Sequence, residues 1–347
     1  MLRGRQSWVG PGLRCGTAVL AACAVCAHAA PFAYITNQGS HDVSVIDLAT
    51  QAVVATVPVG RSPAGVVASS SAGKVFVSNP DSKSISVIDM RSQQVVATVP
   101  AGDGPVGIDA SRDGTRVYAA DWFRNRVLVF DAGTNALLST IPVGNAPAGV
   151  AAKDDDPNTV FIAERDDDSV AVLDLAQQRV RSRVRVGSHP FALLYDAPRQ
   201  RLYALNVQSD DVSVIDTRGD TRADTHSDAR DDTKSDTRPL PVIKTIKVGK
   251  APYGAALADG GALLYVTNQH DDTVSVIDAD TLQVVRTLTG FAYPEGIAAH
   301  ADRVYVVNWM DDNVSVRNAR TGSPVGIIST GQNSRGFGAF IGAPGPR

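Results

Sequence analysis

Cysteine is scarce in this sequence of 347 residues. The three cysteines, Cys15, Cys23 and Cys26, all lie within the first 30 residues, and the rest of the chain contains none. That remainder can therefore form no disulfide, bind no metal through thiolate and use no cysteine nucleophile. Its stability must come from packing alone.

Residues 1–29 contain no acidic residue and no apolar run long enough to span a bilayer. They carry three arginines, then the apolar stretch CGTAVLAACAVC, then an Ala-His-Ala motif. A membrane helix needs about 20 apolar residues, whereas this order is typical of a cleaved secretory leader. We predict a signal peptide at 1–29 and a periplasmic or secreted protein without a transmembrane segment. A lipoprotein anchored at Cys23 is the alternative.

Positive charge is not in excess. The chain has 33 Lys plus Arg and 36 Asp plus Glu, and loss of the three leader arginines changes its formal net charge from −3 to −6. An acidic balance disfavours nonspecific binding to nucleic acids or anionic membranes. We therefore expect the partner to be a small molecule or a protein rather than nucleic acid. We also expect the protein to be a monomer.

Many catalytic and cofactor motifs are missing. The sequence has no nucleophile elbow, P-loop, dinucleotide fingerprint, H-E-x-x-H zinc motif or C-x-x-C-H haem motif. It also lacks the tryptophan docking motifs of eight-bladed quinoprotein dehydrogenases. We expect no cofactor and no bound metal, and no single residue is identified as catalytic.

An internal repeat is what the sequence does contain. A strand-like segment such as YITN, FVSN or YVTN occurs seven times and ends at residues 37, 79, 121, 164, 206, 268 and 308. A second apolar run, such as VSVID, follows each copy. A proline that opens the next unit recurs every 42 or 43 residues, except for one interval of 62 residues.

Each unit contains four short runs of strand character, for example AGVVAS, VFVSN, SISVID and VVATVPV. β-Branched residues bounded by Gly, Pro, Asn and Asp favour strands, and no segment has sustained helical periodicity. Seven such units predict an all-β fold, a seven-bladed β-propeller with four antiparallel strands per blade over residues 30–347. The C-terminal segment GFGAFI is expected to complete the N-terminal blade and close the ring.

These repeats resemble the YVTN-repeat family of exported seven-bladed β-propellers, the YncE-like type. The resemblance covers residues 32–341 and is specific for fold. It does not specify function, because propellers host binding modules, lactonases, lyases and dehydrogenase subunits alike. It implies that ligands bind where the Pro-x-Gly turns and the turns after YVTN meet around the central channel.

The long interval lies in the fifth blade, after Asp216. Its residues form six tetrads of roughly D-T-R-x in which every position is polar or small. Such a segment cannot bury an apolar face, so we predict a disordered loop at 217–239. A calcium loop is disfavoured, because acidic residues at a period of four do not match calcium-loop spacing. The resemblance implies that this loop lies opposite the binding face.

Polar residues that recur in nearly every blade are interpreted as turn formers. The stretch LYVTNQHDDTVSVID at 264–278 places His270, Asp271 and Asp272 in such a turn, and Asp278 at the start of another. Short polar side chains suit these positions because they bond to the nearby backbone and tolerate unusual dihedral angles. Matching turns are spread around a ring, so they do not converge on a metal.

Departures from the repeat on the channel face are the candidate binding residues. Large or charged side chains replace small ones around the opening proline, and Asp121, Glu164 and their neighbours depart from the usual Asn. A mixture of aromatic rings, arginine and proton-carrying groups suits a polar or aromatic ligand. The candidates are Trp122, Glu164, Arg165, His189, Tyr253, Tyr293, Glu295, Trp309 and Arg335. The alternative interpretation is that these residues fill space between blades.

Three functions remain open from the sequence. The first is an exported, non-enzymatic propeller that binds a ligand or protein partner on its channel face. The second is a lactonase or lyase, with His189, Glu164 or Glu295 moving a proton and Arg165 or Arg335 holding an anion. A metal held by Glu164, Asp121 and Asn side chains is one version of it. The third, implied by some YncE-like relatives, is single-stranded DNA binding by stacking on Trp122 and Trp309.

Overall fold

The computed structural model describes residues 31–219 and 240–345, together with Met1, Leu2 and Gly4. The predicted signal peptide and the Cys23 alternative lie outside the described core. Of the predicted loop at 217–239, only residues 217–219 are described. Thr217 is buried and its N–H donates to the Gln200 carbonyl oxygen at 2.9 Å. The ordered blade therefore extends slightly beyond the predicted boundary.

Seven four-stranded antiparallel sheets form the fold, as the repeat predicted. Their strands, from the channel outward and beginning with blade 2, are as follows. Blade 2 has Val66–Ser69, Lys74–Asn79, Ser84–Asp89 and Gln94–Pro100; blade 3 has Pro105–Ala110, Arg116–Asp121, Arg126–Asp131 and Leu137–Pro142; blade 4 has Pro147–Ala152, Thr159–Glu164, Ser169–Asp174 and Arg179–Arg185. Blade 5 has Pro190–Asp196, Arg201–Asn206, Asp211–Asp216 and Val242–Lys247; blade 6 has Pro252–Ala258, Leu263–Asn268, Thr273–Asp278 and Gln283–Leu288; blade 7 has Pro294–His300, Arg303–Asn308, Asn313–Asn318 and Pro324–Ser329.

Blade 1 closes the ring with both ends of the chain. It consists of Ile341–Gly342, Phe32–Asn37, Asp42–Asp47 and Ala52–Pro58. Ring closure by the C-terminal strand is therefore confirmed. The paired strand is shorter than expected from GFGAFI, however, because residues 336–340 turn aside first, with Gly336 at φ 63° and Gly338 at φ 121°.

The diverted segment lies beside the innermost strand of blade 2. Val66 N–H donates to the Phe337 carbonyl oxygen and Ala68 N–H to that of Ala339, both at 2.8 Å. A glycine at 338 is required here, since its φ is in the range that other residues rarely adopt. This path carries the Phe337 side chain into the centre of the ring.

The glycine of the Pro-x-Gly turn lets neighbouring inner strands approach closely. A Cβ added at Gly107 would lie 1.9 Å from the Ala148 carbonyl oxygen, and one at Gly149 would lie 2.3 Å from that of Phe191. No side chain fits at such distances. The recurring glycine is therefore explained by packing around the axis.

The turns between second and third strands behave as predicted. Gln269–Asp271 forms a short 3₁₀ turn that ends at Asp272, whose φ is 52°. Asp278 accepts hydrogen bonds from the Thr281 N–H and hydroxyl, both at 2.8 Å. The interpretation of these residues as turn formers is confirmed. Comparable 3₁₀ turns are Pro80–Ser82, Trp122–Arg124 and Arg165–Asp167, and Asp259–Gly261 forms one between the first two strands of blade 6.

Apolar side chains fill the space between blades. Each second strand contributes large, fully buried residues, among them Tyr34, Tyr118, Tyr203, Tyr265 and Tyr305. Separate apolar clusters each join adjacent blades, and together they link the blades around the ring. In the described part of the chain, no helix has the length and apolarity to cross a membrane.

Candidate functional site on the channel face

One face of the ring gathers the predicted residues. Register pairs Pro105 with Asp121, and Pro147 with Glu164, so each inner strand begins where the second strand ends. The turns that follow the second strands therefore share this face with the Pro-x-Gly turns. We call it the channel face, defined by the turns at residues 38–41, 80–83, 122–125, 165–168, 207–210, 269–272 and 309–312.

Aromatic rings fill the centre of this face. Phe191 lies 4.7 Å from Tyr253 and 4.9 Å from Phe337, measured between ring centroids, and Tyr253 lies 5.7 Å from Phe337. Trp122 extends the group outward, with its centroid 6.3 Å from Phe191. We call Phe191, Tyr253 and Phe337 the channel plug. Tyr253 and Phe337 are both less than 10% exposed.

A buried ion pair fixes one side of the plug. Arg335 Nε lies 2.6 Å from Glu295 Oε2, and Gln269 Nε2 donates to Glu295 Oε1 at 2.7 Å. The guanidinium lies 5.7 Å from the centre of the Tyr253 ring and also donates to the Tyr253 hydroxyl. The structure thus brings together three of the predicted residues, Tyr253, Glu295 and Arg335.

Burial and charge act in opposite directions on this pair. Burial raises the pKa of the Glu295 carboxyl, and Arg335 partly offsets that shift. Burial alone would lower the pKa of Arg335, but Tyr253 and Glu295 outweigh it and raise that pKa. Arg335 therefore stays a cation and ties Glu295 to the plug, so neither group is free to move a proton.

A second aromatic group lies on blades 6 and 7. Tyr293 lies between Trp309 and His270, with centroid distances of 5.5 Å and 5.6 Å. His270 Nε2 is 3.3 Å from the Tyr293 hydroxyl oxygen. All three rings are partly or fully exposed, and Met310 beside them is 62% exposed. This group offers an accessible apolar surface.

Arg165 and His189 lie at the edge of the plug. The Arg165 guanidinium carbon is 5.6 Å from the centre of the Trp122 ring, and its Nη1 lies 2.6 Å from Asp166. The His189 ring nitrogens are 3.9 Å from Asp166 and Asp168, beyond hydrogen-bond distance. Both side chains thus face acidic neighbours of the 165–168 turn.

Glu164 does not reach the surface of the channel face. It is fully buried in blade 4, where it accepts hydrogen bonds from the Gly144 N–H and Ser169 hydroxyl, both at 2.7 Å. Arg183 on the outer strand adds two more, at 2.8 Å and 3.0 Å. Every ligand-binding or proton-transfer role proposed for Glu164 would require these four bonds to break.

The repeat explains this arrangement. In blades with Asn at this position, the amide nitrogen donates to the residues five and seven positions later, as Asn268 does to Thr273 and Ser275 at 2.9 Å. A carboxylate can only accept, so Asp121 takes a bond from Arg126 Nε at 2.8 Å instead. Asp121 and Glu164 therefore replace the Asn as blade-stabilising groups.

These ion pairs bear on the metal version of the enzyme hypothesis. Asp121 and Glu164 are each directed to an arginine, and their positions belong to different blades. Within residues 31–219 and 240–345, no three His, Cys, Asp or Glu side chains converge as metal ligands would. The donor set that the sequence suggested is not assembled in this geometry.

The rim of the channel face is open and mixed in charge. A depression of about 590 Å³ between blades 2 and 3 is lined by Arg61, Pro80, Asp81, Lys83, Asp103 and Phe123. Phe123 projects from the turn after Trp122 and is 71% exposed. Lys83 Nζ lies 3.0 Å from Asp103 on the depression wall. Phe123 was missed in the sequence, although most other blades carry a polar or small residue at this turn position.

The fold and this face define the class of the protein, a seven-bladed β-propeller whose channel is closed by its own side chains on one face. The family model described as YNCE-like beta-propeller matches residues 68–158. A seven-bladed β-propeller protein of Mycobacterium tuberculosis is 34% identical over 103 residues. That match covers 27% of this chain and 26% of the relative, about a quarter of its length. Both matches support the resemblance to YncE-like β-propellers that the repeat indicated.

Solved structures share the fold at low sequence identity. Hydrazine synthase of Kuenenia stuttgartiensis gives a TM-score of 0.70 at 20% identity, covering 83% of this chain and 92% of that one. A functionally unknown protein from Desulfotomaculum acetoxidans gives 0.73 at 15% identity, covering 91% and 99%. Dihydro-heme d1 dehydrogenase NirN gives 0.61 at 17% identity, covering 86% and 63%. At these identities the likeness concerns the fold alone.

Proposed function

We propose that this propeller is a non-catalytic binding module that docks a protein partner on its channel face. The observation that carries the proposal is the plug, which closes the channel mouth and leaves a broad, partly exposed aromatic surface around it. Trp122, Phe123, Trp309 and Met310 supply the central contacts. A rigid ring presents them, so little ordering entropy is lost when the partner binds.

The chemistry of the surface favours a protein over a small molecule. Small ligands are usually enclosed in a deep pocket, whereas the centre of this face is filled by Phe191, Tyr253 and Phe337. Interface hot spots are enriched in Trp, Tyr and Arg and surrounded by polar rims. The partly exposed tryptophans and the charged depression beside Phe123 match that composition.

A lactonase or lyase receives less support from this geometry. Four of the five groups expected to transfer protons or hold an anion are engaged in separate contacts: Glu164 with Arg183, Glu295 with Arg335, and Arg165 with Asp166. A general acid or base must lie within hydrogen-bond reach of the substrate atom it serves. The likeness to enzymes among the solved structures concerns the fold and supplies no shared active site.

Single-stranded DNA also receives less support. Arg165 beside Trp122 is countered by Asp166, and Met310 beside Trp309 is followed by two aspartates. Carboxylates next to both stacking residues would repel phosphates. Export to the periplasm or medium remains part of the proposal and depends on the leader-like sequence of residues 1–29.

Photo-crosslinking in the natural producing cells tests the docking face. A benzoylphenylalanine at position 123 or 310 is compared with one at position 327, on the outer strand of blade 7. Ile327 is a matched control because, like Phe123, it is 71% exposed. The proposal predicts one discrete protein adduct from positions 123 and 310, absent at 327 and lost when Trp122 and Trp309 are changed to alanine.

Two results would overturn the proposal. The same adducts at all three positions would show nonspecific contact. Salt-sensitive quenching of Trp122 and Trp309 fluorescence by an oligothymidylate, lost in Trp→Ala variants, would assign the face to single-stranded DNA instead.

A further inference from the structure

The channel is open on the side of the plug away from the channel face. A cavity of about 380 Å³ lies there, between the inner strands of blades 3 to 7 and the diverted segment at 337–339. Its walls are mostly apolar, with Val150, Leu193, Leu257 and Ile297 among them. The volume falls within the range of small-ligand pockets, roughly 300–1,000 Å³. None of the candidates from the sequence lines this cavity.

One carboxylate is set into this apolar wall. Asp109 lies on the inner strand of blade 3, opposite Tyr118 in the register. The corresponding positions in the other complete inner strands are apolar: Val67, Ala151, Leu194, Ala256 and Ala298. Asp109 is thus a departure from the repeat, as the channel-face candidates are, but at the other end of the channel.

Asp109 is half-buried on the cavity wall and lacks the counter-charge that several buried carboxylates have. Its Oδ2 accepts from the Ala152 N–H and its Oδ1 from the Ala110 N–H, both at 2.8 Å. Two backbone bonds leave acceptor capacity unused. Within the described chain, the nearby charge that acts on it is Asp154, of the same sign, and burial raises its pKa to about 7. Glu164, Glu295 and Asp121 are each paired with an arginine instead.

The acidic character continues along the cavity wall. Asp154 and Tyr195 also line the cavity. The Tyr195 hydroxyl donates to Asp155 Oδ1 at 2.7 Å, so it is directed to an acid as well. Arg112 approaches Asp154 only to 3.8 Å and is 72% exposed, so it screens that charge weakly. A cation entering the cavity would therefore meet an acidic wall before it reached Asp109.

We propose that this cavity is a binding site for a small hydrophobic amine, whose ammonium group bonds to Asp109 while its apolar body packs against the inner strands. The amine supplies the positive charge that the fold omits at Asp109, and a charge-assisted hydrogen bond in an apolar setting is strong. Asp154 attracts the cation, and Phe337 forms the closed end. This site is separate from the channel face and does not depend on the partner proposed there.

Benzylamine is a suitable probe, with benzyl alcohol as its neutral counterpart of the same shape. In isothermal titration calorimetry at pH 8, benzylamine should bind. Benzyl alcohol should bind at least tenfold more weakly, a difference of about 1.4 kcal/mol. Asp109→Asn preserves size and should weaken benzylamine binding at least tenfold. Asp280→Asn removes an equal charge from a side chain that is 76% exposed and does not line the cavity, so affinity should not change.

A second variant fills the cavity without altering charge. Ala339 lines the cavity and is exposed on the diverted segment, so Ala339→Leu should block the amine while the protein stays folded. Failure of benzylamine to bind at ~10 mM would overturn the proposal. Equal affinity for benzyl alcohol, or unchanged affinity in folded Asp109→Asn, would overturn it as well.

Discussion

The two ends of the channel differ in how they handle charge. On the channel face, Glu295 is bonded to Arg335 and Gln269, and aromatic rings close the gap. At the other end, Asp109 lies against an open apolar cavity with only backbone N–H partners. A paired buried charge holds neighbouring elements in place, whereas an unpaired one leaves bonding capacity for a ligand. This difference is the basis on which we propose docking at the channel face and small-molecule binding in the cavity.

Breaking the ion pair of the plug should have the largest effect. Arg335→Met leaves Glu295 buried without its cation and should lower the free energy of unfolding by about 3–5 kcal/mol. Urea denaturation measures the loss. The double variant Glu295→Gln/Arg335→Met should recover a large part of it, because no uncompensated charge remains. Equal loss in both variants would mean that packing, not charge, holds this end together.

Removing the ring that separates the two ends should have the next largest effect. Phe337→Ala deletes a buried ring and should cost about 3 kcal/mol, the lower part of the range for Phe→Ala because one side of the ring faces the cavity. It should also admit a bulkier amine, such as naphthylmethylamine, that the original cavity excludes. Unchanged amine selectivity would show that Phe337 does not form the closed end.

Glu164 stands where most blades carry Asn, and its role in blade 4 can be tested by restoring that Asn. Glu164→Asn removes the bonds to Arg183 and should cost about 1–3 kcal/mol. Ala171 stands seven positions later, where the Asn blades carry serine. Adding Ala171→Ser should therefore return part of the lost stability in thermal denaturation. If Ala171→Ser destabilises the original protein and the Glu164→Asn variant equally, the proposed exchange of hydrogen-bond donors and acceptors is wrong.

Asp109 predicts a smaller, pH-dependent effect at the other end. Its pKa is raised to about 7 by burial, above the ordinary value of about 3.9 in the unfolded chain. The folded state therefore binds more protons across that window, and Asp109 destabilises the fold increasingly as pH rises from about 4 to 7. Asp154 and Tyr118 face it and do not neutralise it.

Asp109→Asn cannot ionise, so it should melt above the original protein at pH 8 and close to it at pH 4. The measurement is the difference in melting temperature at the two pH values, with Asp280→Asn as the charge-matched control. A difference that does not grow with pH would show that Asp109 ionises freely.

Sequence repetition predicted the blades well because each unit repeats the same local chemistry. Strand alternation, the Pro-x-Gly glycine and the turn aspartates are local features, and all of them appear as expected. The plug was harder to predict, since Phe191, Tyr253 and Phe337 lie far apart in sequence and Phe337 arrives through a diverted segment. Glu164 departs from the repeat, but Arg183 compensates for it inside the blade. A departure from the repeat therefore does not by itself identify a binding residue. Asp109 was overlooked, although comparing equivalent positions of the repeat reveals it. It is an acid at an inner-strand position where the other complete inner strands carry apolar residues.

Hydrogen–deuterium exchange with the crosslinked partner, once isolated, tests the central claim most directly. We predict slower amide exchange in the turns at 122–125 and 309–312 when the partner binds, with no change in the loop at 153–157 at the other end. Protection confined to that loop or to the outer strands would contradict docking on the channel face.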